Sequence, residues 1–491
     1  MRYIPVAHLF GWLLLLMAAA MLVPLAVAIS HAEYRSAIGF SLMIIGAAFV
    51  GGSLVLALRG RSAMSSGRQV ILLLGVVWFL VPIGAAAPFL FSGVVTTPVS
   101  ALFEAVSGLT TTGATVLSDL TDVPRAIIIW RAQLQWMGGL ITILGLSALV
   151  SPRGTSPRLA LGSDRPRNGA RLQVLLTRGA LQTIIPLYGV LTVACYAGLL
   201  LAGLPLLDSA SLAMSSISTG GFLARNGTIE LYGSPTTELI LALAMFAGAV
   251  SPLWLSARLG GAPRDAERDH EPYWILAAIA VVSFFVARHI LANSPGPGFW
   301  EFYRVLASAV ATATSFITTS GLAISQKGHE TLPYLVVLVI CLVGGGRYST
   351  AGGLKFHRVG ELFRFCAMEV YHLIYPHSSF LSRASSADRR QAAIMGALWA
   401  SFAVTIVVAM ILVFVLAAEG LGLLAALLAA FSAIGNIGPA YTLTVVPGLD
   451  VAPAFGDMSA TSQIALCFGM IFGRFEVLAL LALFNLAYWR P

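Results

Sequence analysis

Long stretches of this sequence carry no charged side chain, and few folds can accommodate them. Val6 to Ile29 is one such stretch, and several others reach the roughly 20 residues that a helix needs to cross a bilayer. Only 10% of the 491 residues are charged, whereas a soluble domain carries about 25%. A membrane β-barrel would show alternating segments of about ten residues, which do not appear here. We therefore predict an all-α polytopic membrane protein.

The basic residues indicate how the chain is oriented in the membrane. The formal net charge is +8, and all of the basic residues except Lys327 and Lys355 are arginine. The arginines cluster in short loops between apolar runs, which is typical of topology signals and not of a nucleic-acid-binding face. By the positive-inside rule these loops are cytoplasmic, and the N-terminus then lies inside.

The first apolar run has two interpretations. Ala26-Val27-Ala28 resembles the cleavage site of a signal peptide. The run is longer than the typical 7–15-residue apolar region of such a peptide. We expect a retained first span, with a cleaved signal peptide as the alternative.

Four segments rich in hydroxyl residues and glycine recur on the arginine-poor side. Each follows an apolar run too short to span, and they lead into Thr112-Gly113, Thr219-Gly220, Ser320-Gly321 and Ile437-Gly438. These glycines lie 107, 101 and 117 residues apart, which indicates an internal repeat. Each repeat is predicted to contain a span, a re-entrant half-length helix, a loop and a second span, all in the same orientation. The predicted divisions are an N-terminal two-helix pair at 1–68 and repeats at 69–170, 171–270, 271–385 and 386–491.

The glycine loops have the chemistry of a cation pathway. Non-helical backbone at membrane depth is tolerated only where it is buried in protein or lines a watery cavity. Glycine adopts positive φ without a clash, so consecutive carbonyls can turn toward an axis and replace the water shell of a cation. The short helices also point the negative ends of their dipoles at this cavity. We favour a central pore over ordinary packing of small residues, and the role of the threonine hydroxyls, as caps or as ligands, stays open.

At these segments the chain resembles the Trk/Ktr/HKT superfamily of potassium transporters, most closely its TrkH branch. The resemblance covers nearly the whole chain and rests on SGLTTTGATVL (107–117), QWMGG (135–139), SSISTGGF (215–222), the segment 344–355, NIGP (436–439) and the ending GRFEVLALLALFNLAYWRP (473–491). It implies four pseudo-symmetric M1–P–M2 repeats (helix, re-entrant pore loop, helix) around a central pore, plus the N-terminal pair. By this resemblance, the potassium-binding filter comprises Thr111, Thr112, Gly113, Ser218, Thr219, Gly220, Thr319, Ser320, Gly321, Asn436, Ile437 and Gly438.

The resemblance also implies a function and partners. It implies potassium uptake across the bacterial inner membrane by a multi-pass protein that is not an enzyme and holds no cofactor, K⁺ being the transported ion. It further implies a homodimer regulated by a cytosolic nucleotide-binding subunit (TrkA-like). Gly113 favours potassium, since plant members with serine there favour sodium, and one glycine per loop predicts only moderate discrimination against sodium. The fourth loop departs from the pattern, because GNIGP lacks the threonine of the first two.

The glycine-rich segment 344–354 interrupts the second span of the third repeat. Clustered glycines break or hinge a helix, and such a break beneath a filter is a candidate gate. A phosphate-binding loop is excluded, because Leu354 precedes Lys355 and no Ser or Thr follows that lysine. The predicted gate and pore-charge residues are Gly345, Gly346, Arg347, Gly352, Gly353, Lys355 and Arg474.

Two arginines in this set have alternative roles. Arg474 matches a family arginine that lines the pore, and the alternative is an ion pair with Glu361 or Glu476. Glu476 is a poor partner, because residues two apart on a helix do not face each other. Arg347, which with Tyr348 replaces the small residues of the family, is either a positive barrier below the filter or a side chain that snorkels to the cytoplasmic surface.

Two other functions are alternatives for a multi-span chain. An ion-coupled (proton or sodium) secondary transporter is favoured by inverted repeats or a proton-relay carboxylate, and neither is evident. A multi-span membrane enzyme needs His, Ser or carboxylate groups that converge from several spans. The motifs H-E-x-x-H and G-x-S-x-G are both missing from the sequence.

Overall fold

The fold is a bundle of long and half-length helices. The computed structural model describes residues 3–60, 67–149, 178–259, 270–293, 298–374, 386–447 and 452–475. Within these ranges the strands amount to one pair of two residues each. Seven described helices are long and apolar enough to span a membrane, or eight if a bent pair counts as one span. The all-α polytopic prediction is confirmed.

The N-terminal residues form two closely packed spans. They consist of α1 (Ile4–Ala20), α2 (Leu22–Ser30) and α3 (Tyr34–Ala57). Gly11 and Gly51 let α1 and α3 cross closely, because a Cβ on either would lie within 2.9 Å of the other's carbonyl oxygen. The amide of Gln133, on a later helix, donates to the Ala20 carbonyl at 2.8 Å, which ties this pair to the rest of the bundle.

A long helix, a shorter helix and a second span then follow one another four times. The first set comprises α4 (Gly67–Phe91), α5 (Pro98–Leu109) and α6 (Arg125–Leu149). The second comprises α7 (Arg178–Leu201), α8 (Leu206–Ile217), the 3₁₀ turn Ile229–Tyr232, and α9 (Pro235–Ala249), which α10 (Pro252–Arg258) continues after a bend of 108°. The third comprises α11 (Glu271–Ala292), α12 (Phe299–Ile317), α13 (Gln326–Glu330), α14 (Tyr334–Leu342), β1 (Val343–Gly344), β2 (Leu354–Lys355) and α15 (Phe356–Ile374). The fourth comprises α16 (Ser386–Ala418), α17 (Leu423–Gly435), α18 (Pro439–Leu443), the 3₁₀ turn Phe455–Asp457 and α19 (Ala460–Arg474).

The second spans and the short helices close into a ring. Each second span packs on the short helix of the next set: α6 on α8, α9 on α12, α14 on α17, and α19 on α5. The last of these contacts joins the fourth set to the first. Burial follows the same plan, since 61% of the apolar window of α6 is buried but only 22% of that of α7 or α11. The second spans thus lie inside, and the first spans of the second and third sets lie at the periphery.

The second span of the third set is broken, as predicted. It stops at Leu342, forms a loop closed by β1 and β2, and resumes as α15. The two strands run parallel, with Val343 opposite Leu354 and Gly344 opposite Lys355. A Cβ on Gly344 would lie 1.6 Å from the Gly352 carbonyl oxygen, so this closure requires glycine.

The final span is described only as far as residue 475. Glu476 and the rest of the segment that carries the family-like ending lie outside the described residues.

Candidate ion-conducting site

The four short helices end in the same way. Each is followed by a residue in the left-handed conformation: Thr111 (φ 53°), Thr219 (φ 52°), Thr319 (φ 59°) and Asn436 (φ 52°). The next N–H in each loop bonds back to a serine carbonyl five residues earlier, at 2.8–3.0 Å. The donor and acceptor pairs are Thr112 and Ser107, Gly220 and Ser215, Ser320 and Ser315, and Ile437 and Ser432. This is a Schellman-type helix end, and it aligns the four loops residue by residue.

The alignment corrects the register of the second loop. The residue after the bonded N–H is Gly113, Gly221, Gly321 or Gly438, so the counterpart of the other predicted filter glycines in the second loop is Gly221 and not Gly220. The filter segment there is Thr219-Gly220-Gly221, and Ser218 lies one residue too early. Gly113, Gly221 and Gly321 have φ of +78°, +79° and +66°, a conformation that only glycine adopts at no steric cost. The sequence signal for this alignment, which the sequence analysis missed, is a serine six residues before the glycine in all four loops.

The four loops touch one another in a closed cycle. A Cβ on Gly113 would lie 2.1 Å from the Gly220 carbonyl oxygen, and a Cβ on Gly221 would lie 2.0 Å from that of Ser320. A Cβ on Gly321 would lie 3.1 Å from Cγ1 of the Ile437 side chain, a looser contact than the other two. The N–H of Gly438 completes the cycle by donating to the Thr112 carbonyl at 2.7 Å. The loops therefore meet, as the repeat spacing predicts, and the carbonyls before the first three glycines lie at the meeting point.

The fourth loop does not have the conformation that the sequence predicts. Gly438 is right-handed helical (φ −51°, ψ −44°) and begins α18. A residue before proline normally avoids this region because its Cβ clashes with the proline ring, and glycine has no Cβ. The Pro439 ring then lies against the other three loops, within 3.2 Å of a Cβ placed on Gly113, Gly221 or Gly321. Asn436 fixes this arrangement by donating to Thr112 Oγ1 at 3.0 Å and to the Met470 carbonyl at 2.9 Å.

The left-handed threonines bond to groups of the broken span and of the final helix. A β-branched residue at positive φ is a true outlier, and here it recurs three times. Arg474 Nη2 donates to Thr111 Oγ1. Thr219 Oγ1 lies 3.1 Å from Thr350 Oγ1, and the Gly352 N–H donates to Thr319 Oγ1 at 2.7 Å. In this structure the hydroxyls thus join the filter loops to the predicted gate and to the pore arginine.

The broken second span of the third set packs directly beneath the ring. The Gly346 N–H donates to the Ala249 carbonyl at 2.8 Å, and the Thr350 N–H donates to the Gly248 carbonyl at 3.1 Å, both on α9. A Cβ on Gly352 would lie 2.2 Å from the Gly435 carbonyl oxygen, at the end of α17. The glycines therefore allow a loop to fill the narrow space where four helix ends converge.

A carboxylate holds the outer flank of this loop. Glu271 begins α11, is 6% exposed, and accepts the N–H of Arg347 at 2.8 Å and that of His357 at 3.0 Å. The first N–H lies within the loop, and the second lies in the first turn of α15, just after the loop. One side chain thus joins the loop to the helix that follows it.

The two arginines of the predicted set occupy different environments. The Arg347 side chain is exposed, which is the snorkelling alternative, and the barrier interpretation has no support in its position. Arg474 is 6% exposed and lines a cavity together with Lys355, Arg358 and Ser401. Lys355 Nζ donates to the Ala351 carbonyl at 2.5 Å. Glu361 pairs with Arg364 at 3.0 Å on α15, so it is not the partner of Arg474.

The second spans approach the short helices through repeated glycines that the sequence analysis did not single out. A Cβ on Gly138 would lie 1.7 Å from the Leu109 carbonyl oxygen, and Gly248 and Gly473 have the same relation to Ile217 and Ile434. Each of these three carbonyls belongs to the residue four positions before the filter glycine. The recurrence of a glycine in α6, α9 and α19 is the sequence signal for these close contacts.

A buried ion pair behind the first loop was also missed. Glu104 of α5 and Arg131 of α6 lie 3.2 Å apart, with side chains 0% and 2% exposed. Glu104 also accepts the hydroxyl of Thr115 at 2.5 Å and the N–H of Val116 at 2.7 Å. The Arg131 guanidinium stacks 4.0 Å above the Phe222 ring of the second loop. Charges within apolar segments are the signal, because they are costly in a membrane and are usually functional.

The outer connections of the first two sets are tied together as well. Asn226 donates to Asp119 and, at 3.0 Å, to Thr121. Hydrogen bonds from Thr121 and Asn226 lower the pKa of Asp119 to about 2. This carboxylate therefore stays ionised at any physiological pH.

Comparison with known proteins identifies the family. The model of the TrkH family, described as cation transport protein, matches residues 36–259 and 276–488. The chain is 28% identical to the Trk system potassium uptake protein TrkH of Salmonella typhimurium over the full length of both chains. It is 27% identical to TrkG of Escherichia coli K12 over 99% of this chain and 98% of that one. The crystal structure of the potassium transporter TrkH from Vibrio parahaemolyticus matches over 100% of both chains with a TM-score of 0.83 and 25% identity. On this evidence of sequence and fold, the chain belongs to the TrkH family of cation transport proteins.

Proposed function

We propose that this protein takes up potassium across the bacterial inner membrane through a gated pore formed by a single chain. The relatives above are named potassium uptake proteins, which supports the same cargo here. One observation carries the proposal: four loops at the ends of short helices close a ring, and a broken span fills the space beneath it. In this proposal the chain divides as predicted from the sequence, into an N-terminal pair at 1–68 and four repeats that form the ring.

In this proposal the ring is the selectivity filter. The carbonyl groups of Thr112, Gly220 and Ser320 lie where the loops meet, and carbonyl oxygens replace the hydration shell of a potassium ion in channels of this kind. The ends of the four short helices add negative potential at the same point. One glycine per loop makes the coordinated stretch short, so discrimination against sodium is moderate.

The interrupted third span is the gate. Thr350 and Gly352 bond to the threonines of the second and third loops, so ions leaving the filter meet this segment first. Withdrawal of the loop toward the cytoplasm would open the path. Arg474 contributes positive charge at the same level and sets a barrier that passing cations must cross.

Orientation and partners complete the proposal. The arginine-rich loops face the cytoplasm, which also places the N-terminus there. A second copy of the chain and a cytosolic nucleotide-binding subunit are proposed as partners, because the Trk systems named above are multi-component by name. The subunit would act on the gate from the cytoplasmic side.

Tracer uptake tests the proposal. Purified protein in lipid vesicles loaded with potassium is expected to accumulate radioactive rubidium from outside, driven by the ion gradient alone. External potassium should compete more strongly than external sodium, and empty vesicles provide the background.

Two results would contradict this function. Uptake that requires an imposed proton or sodium gradient would favour the ion-coupled alternative. Equal competition by potassium and by an impermeant organic cation would show that the pathway is not a cation filter.

A further inference from the structure

Gln135 is the side chain of a second span that bonds directly to a filter carbonyl. It lies in α6 and is fully buried. Its Nε2 donates to the Gly220 carbonyl oxygen at 2.6 Å, and its Oε1 accepts the Phe222 N–H at 3.4 Å. The two bonds bracket Gly221, the filter glycine of the second loop. The Gln135 amide therefore bonds to this loop on both sides of Gly221.

The double glycine of the second loop is explained by this contact. A Cβ on Gly220 would lie 2.3 Å from Cδ of Gln135, so only glycine at position 220 lets the amide approach. Threonine, serine and isoleucine occupy the aligned positions 112, 320 and 437. Gly221 adopts the positive φ that the loop requires, whereas Gly220 leaves space for the Gln135 amide.

Two of the other second spans, α9 and α19, carry a different residue at the aligned position. Gln135 lies three residues before Gly138, and the corresponding residues before Gly248 and Gly473 are Met245 and Met470. Both methionines are buried. A thioether cannot donate a hydrogen bond, so neither can hold a carbonyl as Gln135 does. Methionine, which this chain has at both aligned positions, is thus a replacement for Gln135 that has a similar length and lacks the donor.

We propose that Gln135 is a specificity-determining residue of the filter, and this inference rests on the proposed potassium-uptake function. A carbonyl oxygen has two lone pairs, and at Gly220 the amide occupies one and leaves the other for an ion. The shared oxygen presents a weaker field, which favours the larger and more easily dehydrated potassium over sodium. The amide also prevents the loop from contracting around the smaller ion. Both effects are lost when the donor is removed.

The test compares two variants of the full-length protein in vesicles. Gln135→Met removes the donor at the filter. Gln133→Met is the matched control, because Gln133 lies on the same helix but donates to the Ala20 carbonyl of α1 and not to a loop of the ring. The ratio of potassium to sodium competition against rubidium uptake is measured for each. The potassium and sodium concentrations that raise the thermal unfolding temperature in detergent provide a second measure of ion binding.

The potassium-to-sodium ratio is expected to fall about fivefold in Gln135→Met, the change that one ordinary hydrogen bond can produce. It should stay at the wild-type value in Gln133→Met. If Gln135→Met does not fold, Gln135→Leu replaces it, since leucine likewise offers no donor to Gly220 and has a smaller side chain. A folded donor-less variant with wild-type selectivity in both assays would overturn this inference alone. A wild-type protein that responds to neither ion would overturn the proposed function as well.

Discussion

At the scale of single residues, the filter loops depend on conformations that most side chains avoid. Thr111, Thr219 and Thr319 are left-handed, which costs roughly 1–3 kcal/mol each. Each hydroxyl then bonds to Arg474, Thr350 or Gly352. The unfavourable backbone is thus retained where it places a hydroxyl toward the gate. Asn436 takes the fourth position at lower cost, because asparagine tolerates this conformation better.

The closest approach in the ring makes a prediction for Gly113. In Gly113→Ala the new methyl group would lie 2.1 Å from the Gly220 carbonyl oxygen, at a φ of +78°. We expect rubidium uptake in vesicles to fall at least about tenfold, because a positive-φ alanine and the collision together exceed the 1.4 kcal/mol that a factor of ten requires. Gly46→Ala is the control, since nothing lies within 4 Å of a Cβ at that helical position. Equal uptake by the two variants would show that the ring does not conduct.

At the scale of elements, the broken third span is held by its neighbours more than by itself. Its own closure is one pair of two-residue strands, whereas α9, α11, α17 and the filter loops all bond to it or pack against it. A segment of this kind changes position when one of those contacts is lost. Glu271 is the contact that joins the loop, at Arg347, to α15, at His357.

Removal of the Glu271 charge should therefore favour the open gate. Glu271→Gln keeps the shape of the side chain, but it weakens two hydrogen bonds that a carboxylate accepts from backbone N–H groups. Hydrogen bonds to charged groups contribute about 1.5–3 kcal/mol, so basal rubidium uptake should rise roughly tenfold without any regulatory subunit. Glu361→Gln is the control, as this carboxylate pairs with Arg364 on the surface of α15. Unchanged uptake by a folded Glu271→Gln protein would remove this glutamate from the gate.

At the scale of the whole molecule, sequence patterns predicted the architecture better than the site. Apolar run length predicts the spans, and the near-equal glycine spacing predicts four loops that meet. The register of the second loop was wrong because two adjacent glycines, Gly220 and Gly221, fit the motif equally well. The bond from Gln135 to Gly220 joins residues 85 positions apart, and no local pattern encodes it. The helical φ of Gly438 was equally hidden, because glycine is permissive and its conformation depends on the surroundings.

Orientation in the membrane is the remaining prediction at this scale. A peptide tag added before Met1 should be protected from protease in spheroplasts, whose outer membrane has been opened, whereas a tag inserted at Gly227, in the connection after the second loop, should be cleaved. The expected difference follows from the arginine-rich loops lying inside. Cleavage of the N-terminal tag would show that the N-terminus lies outside. A tag missing from the membrane-embedded protein would show that the first apolar run is a signal peptide.

The closed cycle of four loops belongs to one polypeptide, and this has a consequence for how its parts can diverge. A channel assembled from four identical subunits repeats every substitution four times, so a residue useful at one corner must be tolerated at all of them. Here the four loops differ in sequence and in contacts: one carbonyl accepts a hydrogen bond from a glutamine, one loop continues into a proline, and one second span is interrupted by a loop that two short strands close. Selectivity and opening can therefore be adjusted independently, by single substitutions at different corners.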